Sequence, residues 1–232
     1  MAKIGLDAGH GGADPGAVGL SEHEKDITLA IALEVKKFLA SFDNTIIMVR
    51  EIDKTVSLDQ RVAILNKANC DFVVSIHINS VASPVPGYIS TFIQGLGGQA
   101  EKIARYVQPR LVQASGWPDG GIRVANLQMT RETKMPAILV ELGFISNPEQ
   151  EEQLVKPEFQ KKLAFAIASG LLDYTGEPLK KPCTIRIKGK DFPGYIVGGT
   201  SYFGEGVAVR EVVNAMNLSL TWDSKAVRAN IK

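Results

Sequence analysis

The chain has 232 residues, 45% hydrophobic and 22% charged, a balance that suits a folded protein with a sizeable core and excludes a disordered one. Its 26 basic and 25 acidic side chains leave a net +1, so no global field draws it to nucleic acid or to an anionic membrane surface. Cys70 and Cys183 are too few for a disulfide framework and fit a reducing compartment, and no apolar run approaches the ~20 residues of a membrane span.

The first element, Lys3–Asp7, reads as a strand and follows Met1 so directly that no signal peptide is expected; the chain would be made in the cytoplasm. Glu24–Phe42 then places Ile27, Ile31, Val35, Phe38, Leu39 and Phe42 on one helical stripe. Thr45–Arg50 is a second strand, and Ser57 is a plausible N-cap for a helix through Ala68. Phe72–Ile78, Tyr88–Gln94 and Ala137–Leu142 are further strands. Two of them, Phe72–Ile78 and Ala137–Leu142, are nearly continuous in apolar residues, as strands covered on both faces should be. Helices are expected from about Gln99 to Ala114 and from Pro157 to Asp173. The alternation predicts an α/β fold, a mostly parallel or mixed sheet flanked by helices on both faces.

A breaker-rich stretch, Thr175-Gly176-Glu177-Pro178-Leu179-Lys180-Lys181-Pro182, reads as a linker. It divides a domain over 1–175 from a module over 183–232, with 176–182 between them. From Glu177 onward nine basic residues face five acidic ones, a net +4, which leaves the first 176 residues at −3. The module reads as a small α+β unit with a strand Cys183–Ile187, a helix near Val207–Asn217, and strands Leu218–Trp222 and Ala226–Ile231.

In open α/β sheets the chemistry sits at the carboxyl ends of the strands, which here means just after Asp7, around His77 and around Glu141. His10 lies in the glycine-rich loop Asp7-Ala8-Gly9-His10-Gly11-Gly12, but that loop matches neither phosphate-binding glycine pattern. His77 ends another strand. Two histidines at strand ends suggest a shared metal site, completed by an acidic residue on the same edge. Glu22, Glu24 and Asp26 are all candidates, and each is equally explained as an acid complementing a helix dipole. Glu141 is different, because it interrupts the apolar run Ile138-Leu139-Val140-Glu141-Leu142. A carboxylate there is either salt-bridged or a working acid/base with a perturbed pKa.

Four motifs occur in one order: Asp7–Gly12 with Asp14-Pro15-Gly16-Ala17, Glu24-Lys25-Asp26, Ser75-Ile76-His77-Ile78-Asn79, and Val140–Asn147. In them the chain from Lys3 to about Tyr174 resembles the zinc-dependent N-acetylmuramoyl-L-alanine amidases of the Amidase_3 type. The resemblance implies Zn2+ on His10, Glu24 and His77, with Glu141 as catalytic acid/base and His23 as a surface neighbour. It implies peptidoglycan as substrate, cut between N-acetylmuramic acid and L-alanine. Asn79 and Arg131 are assigned substrate contacts near the cleft. The basic module suggests attachment to anionic wall polymers, and the expected lack of an export signal suggests release to the wall in the manner of a phage endolysin. A zinc peptidase acting within the stem peptide, or a wall-binding protein without catalysis, are the rival readings.

Overall fold

The computed structural model describes residues 1–42, 44–82 and 87–176, and beyond them the backbone of strands between 181 and 231. The chain divides into two compact units, Met1–Glu177 and Pro178–Lys232. The first holds a six-stranded sheet of β1 (Lys3–Ala8), β2 (Thr45–Met48), β3 (Phe72–Asn79), β4 (Ile89–Ile93), β5 (Asp119–Val124) and β6 (Ala137–Phe144). Their order is β2-β1-β3-β6-β4-β5, and the sheet is mixed. The pairs β1–β2, β1–β3, β3–β6 and β4–β5 are parallel, and only β4–β6 is antiparallel.

Helices α1 (Glu24–Ala40), α3 (Gln99–Ser115) and α6 (Pro157–Thr175) pack on one another and on the sheet. On the other face, α2 (Leu58–Ala68) and α4 (Gln128–Arg131) close a cluster of Val62, Leu65, Val73, Met129 and Ala137. Strand alternation sorts the two faces. Thr91 sends its hydroxyl to Gln108 of α3, whereas Ser75 shares the α2 face with Asp7 and Arg61. The predicted stripe of α1 holds, with Ile27, Ile31, Val35 and Leu39 buried and Phe38 stacked edge-on against Phe165. Ser57 caps α2 with a reciprocal capping box to Gln60.

Three elements of the first unit were not anticipated. Strand β5 carries Gly120 and Gly121 at a sheet edge, so neither propensity nor alternation marks it. Helix α4 is a single turn. Helix α5 (Pro148–Leu154) did carry a signal, an Asn147 cap followed by proline at the first helical position.

The second unit forms another six-stranded sheet, from β7 (Lys181–Ile187), β8 (Lys190–Val197), β9 (Thr200–Phe203), β10 (Val207–Ala208), β11 (Leu220–Asp223) and β12 (Arg228–Ile231). All its pairs are antiparallel except β12 with β7. The sequence reading began a helix at Val207, but Val207 and Ala208 pair with Phe203 and Tyr202 as strand. The rest of that expected helix lies outside the described residues. Strand β8 has no counterpart among the expected elements, because Pro193 and Gly194 suppress the strand signal.

Candidate active site

The site grows from the end of β1. His10 takes a left-handed backbone conformation, φ 60°, which is uncommon for a residue with a side chain. Two buried arginines hold it there. Arg61 of α2 donates to the carbonyls of Ala8 (2.7 Å), Val56 (2.9 Å) and His10, and to the Asp7 carboxylate at 2.6 Å. Arg50, just past β2, donates to the carbonyls of Ala8 (2.9 Å), Gly9 (2.8 Å) and Lys25 (2.7 Å). Three successive carbonyls of the loop are thus gripped by guanidinium groups. Sequence reasoning missed both arginines. Their signal was an Arg among apolar neighbours, on the stripe of α2 at Arg61 and after the run Ile46-Ile47-Met48-Val49 at Arg50.

The loop leads into α1, whose first residue is Glu24, buried to 4% side-chain exposure. Its carboxylate lies between two imidazoles, with Oε2 3.1 Å from His10 Nε2 and Oε1 3.0 Å from His77 Nδ1. Backbone N–H groups of Ala17 and Ile78 donate to the same carboxylate, each at 2.9 Å. One ligand atom from each of His10, Glu24 and His77 lies within 4.8 Å of the others. Behind His10, Asp14 Oδ2 sits 2.8 Å from Nδ1 and orients the ring. Gly9 is needed for close approach, since a Cβ there would stand 2.5 Å from His77 Cε1.

The donor set fits a small divalent cation of the zinc type. Two imidazoles and a carboxylate are a ligand set such an ion takes. The electrostatics agree. Burial disfavours protonated imidazoles, yet the Glu24 carboxylate outweighs it, raising His77 and, with Asp14, lifting His10 to about 9. Burial likewise opposes the Glu24 charge, and hydrogen bonds from both imidazoles hold that carboxyl far below the usual range. The buried carboxylate thus favours positive charge on its imidazole neighbours.

Among the three acidic candidates only Glu24 enters this cluster. The Glu22 N–H is bound to Glu151, and Asp26 lies 3.7 Å from the half-exposed His23. Glu151 was also missed. Buried on α5, it accepts from the N–H groups of Leu20 (2.8 Å), Ser21 (2.7 Å) and Glu22 (3.2 Å) and fixes the loop before Glu24. Asn79 accepts from the Ser80 N–H at 2.8 Å. Arg131 is paired locally with Asn126 at 2.7 Å and Glu132 at 2.8 Å.

Glu141 of β6 is the register partner of His77, so its side chain shares the face and row of the cluster. Its Oε2 is buried without a hydrogen-bond partner. Burial, helped by the Glu24 charge and opposed by His77 and His10, raises this carboxyl to about 7. A carboxyl raised by burial and set in the row of the His10–Glu24–His77 cluster has the chemistry an acid/base group needs.

Residues 4–173 match the Amidase_3 family, N-acetylmuramoyl-L-alanine amidase. The chain belongs to that family. A germination-specific N-acetylmuramoyl-L-alanine amidase of Bacillus subtilis (strain 168) is 34% identical over 189 residues, covering 75% of this chain and 80% of its own. The endolysin of Bacillus phage SPP1 is 34% identical over 179 residues, 73% of this chain and 65% of the endolysin. The catalytic domain of the amidase CwlV from Bacillus (Paenibacillus) polymyxa superposes with a TM-score of 0.73 at 34% identity, covering 77% of this chain and 100% of that domain. In this amidase, as the match ends at residue 173, the likeness concerns the first unit.

Proposed function

We propose that the protein hydrolyses the amide joining N-acetylmuramic acid to the L-alanine of the peptidoglycan stem, with zinc held by His10, Glu24 and His77 and Glu141 as acid/base. The observation that carries this reading is the two-imidazole, one-carboxylate cluster with an ionisable Glu141 in the same row, in a chain of the amidase family. Held by His10, Glu24 and His77, zinc would supply activation of a water and polarisation of the substrate carbonyl.

The chain's own residues supply the rest. Glu141 receives a proton from the attacking water and returns it to the departing amine of alanine, so it serves both halves of the reaction. Asp14 fixes the His10 ring with Nε2 toward the cluster. Asn79, at the end of β3, is assigned a substrate contact, and Arg131 joins it by giving up Asn126 or Glu132. The 183–232 module, at the basic end of the chain, is assigned attachment to anionic wall polymers, and the site of action is the bacterial cell wall. No helix among the described residues is long and apolar enough to cross a membrane.

Asp14→Ala is expected to weaken zinc binding about 10- to 100-fold, because the His10 ring loses the group that orients it. Competition with a chromophoric chelator measures this, and an unchanged affinity would remove Asp14 from the site. The reaction itself is tested by end-group analysis of purified peptidoglycan, with and without a zinc chelator. New N-terminal alanine without new reducing sugar ends, lost on chelation and restored by zinc, is the expected result. New amino groups from another residue would move the scissile bond into the stem peptide. No release from walls of several types, with zinc bound, would sink the enzymatic reading.

A further inference from the structure

Among the described residues, two buried side-chain polar atoms lack a hydrogen-bond partner: Glu141 Oε2 and Ser90 Oγ. They are neighbours. Ser90 on β4 is the antiparallel register partner of Glu141 on β6. Directly opposed residues carry their Cβ atoms about 4.5–5.5 Å apart on the same face of a sheet. The next residue, Thr91, points to the opposite face and bonds Gln108 of α3. His77, Glu141 and Ser90 therefore form one row across three strands, on the face that carries the cluster.

A buried hydroxyl without a partner is costly, and alanine at the centre of Ile89-Ser90-Thr91-Phe92 would bury with no such cost. Other buried hydroxyls here are satisfied: Ser75 by Asp7, Thr28 by the Gly9 carbonyl, Thr91 by Gln108. Stability alone therefore does not explain serine at 90. The hydroxyl rotates freely about its C–O bond, and the Glu141 side chain turns about three torsions. Both orphans are relieved together if one donates to the other.

We propose that Ser90 is a positioning residue for Glu141: its hydroxyl donates to Oε2, directly or through one trapped water, and so aims Oε1 at the reacting water. The inference rests on the amidase reading. A carboxylate fixed at one oxygen keeps a single orientation through both proton transfers, and one held by nothing samples several.

The test uses the zinc-loaded full chain on a soluble muramyl-peptide substrate, comparing the parent with Ser90→Ala, Ser90→Cys and Ser90→Thr. Ser90→Ala should lower kcat about 10- to 100-fold, the scale of one hydrogen bond to a charged group, with KM and zinc content unchanged. Ser90→Cys keeps the size but donates poorly, so it should follow alanine. Ser90→Thr keeps the hydroxyl and should recover most of the rate. A merely structural serine would lower melting temperature or zinc content without this split. A folded, zinc-loaded Ser90→Ala or Ser90→Cys within two-fold of the parent kcat overturns the inference, as does a loss of kcat in proportion to lost zinc. A parent that releases no N-terminal alanine sinks the amidase reading and this inference with it, whereas an active parent matched by Ser90→Ala sinks the inference alone.

Discussion

Glu141→Gln is expected to keep its metal and to lose turnover by about 10²- to 10⁴-fold, the range associated with a positioned acid/base group. The substitution preserves volume and removes the ability to take a proton, while His10, Glu24 and His77 are untouched. Zinc content and melting temperature should therefore match the parent, and the loss should fall on kcat. The pH profile follows from the same group. As a base Glu141 works when ionised, so activity falls as pH drops through its pKa. Burial first, with the Glu24 charge adding, lifts that carboxyl to about 7, against the pull of His77 and His10. A bound cation adds to that pull, so the acid limb of kcat should lie at or below about 7. Single-turnover rates between about pH 5 and 8 measure it. A Glu141→Gln enzyme that retains most of its turnover would take the acid/base role away from this residue.

The residues assigned the chemistry were more legible than those that hold them. His10 and His77 stand out as two of three histidines in the chain, each at a strand end, and Glu141 as a charge inside an apolar run. Period and capping gave the helices, because α1 and α2 bury one stripe each and Ser57 announces its helix. Choosing Glu24 from its acidic neighbours needed the resemblance or the fold, since all three sit where a helix dipole would favour any acid. Arg50, Arg61 and Glu151 escaped notice for one shared reason. Each is a charged side chain with backbone partners far along the chain, as with Glu151 and the N–H of Leu20. No local pattern encodes such pairings, which follow only once the strands are in order. Orphan status, as at Ser90, is likewise a property of three-dimensional surroundings and has no sequence signature.

Arg61→Leu should be among the most destabilising single changes in the first unit. The side chain is 4% exposed and faces an Asp7 carboxylate that is wholly buried. Without the guanidinium, Asp7 keeps the Ser75 hydroxyl, and the carbonyls of His10 and Val56 lose a donor. Breaking one side of a buried ion pair costs about 3–5 kcal/mol, because the remaining charge stays buried and uncompensated. In a unit of this size that corresponds to a fall in melting temperature of roughly 10 °C. The effect should reach the metal as well. His10 holds a left-handed backbone conformation, φ 60°, that the surrounding contacts must enforce, and Arg61 binds its carbonyl directly. Relaxation of that residue moves an imidazole away from Glu24, so zinc affinity should fall together with stability. Arg61→Lys separates the two effects. An ammonium can neutralise Asp7 but cannot fork to three carbonyls, so it should recover part of the melting temperature and little of the zinc affinity. Thermal unfolding and zinc titration on both variants decide the matter. If Arg61→Leu unfolds within a few degrees of the parent and binds zinc as tightly, the arginine grip on the His10 loop is not what shapes the site.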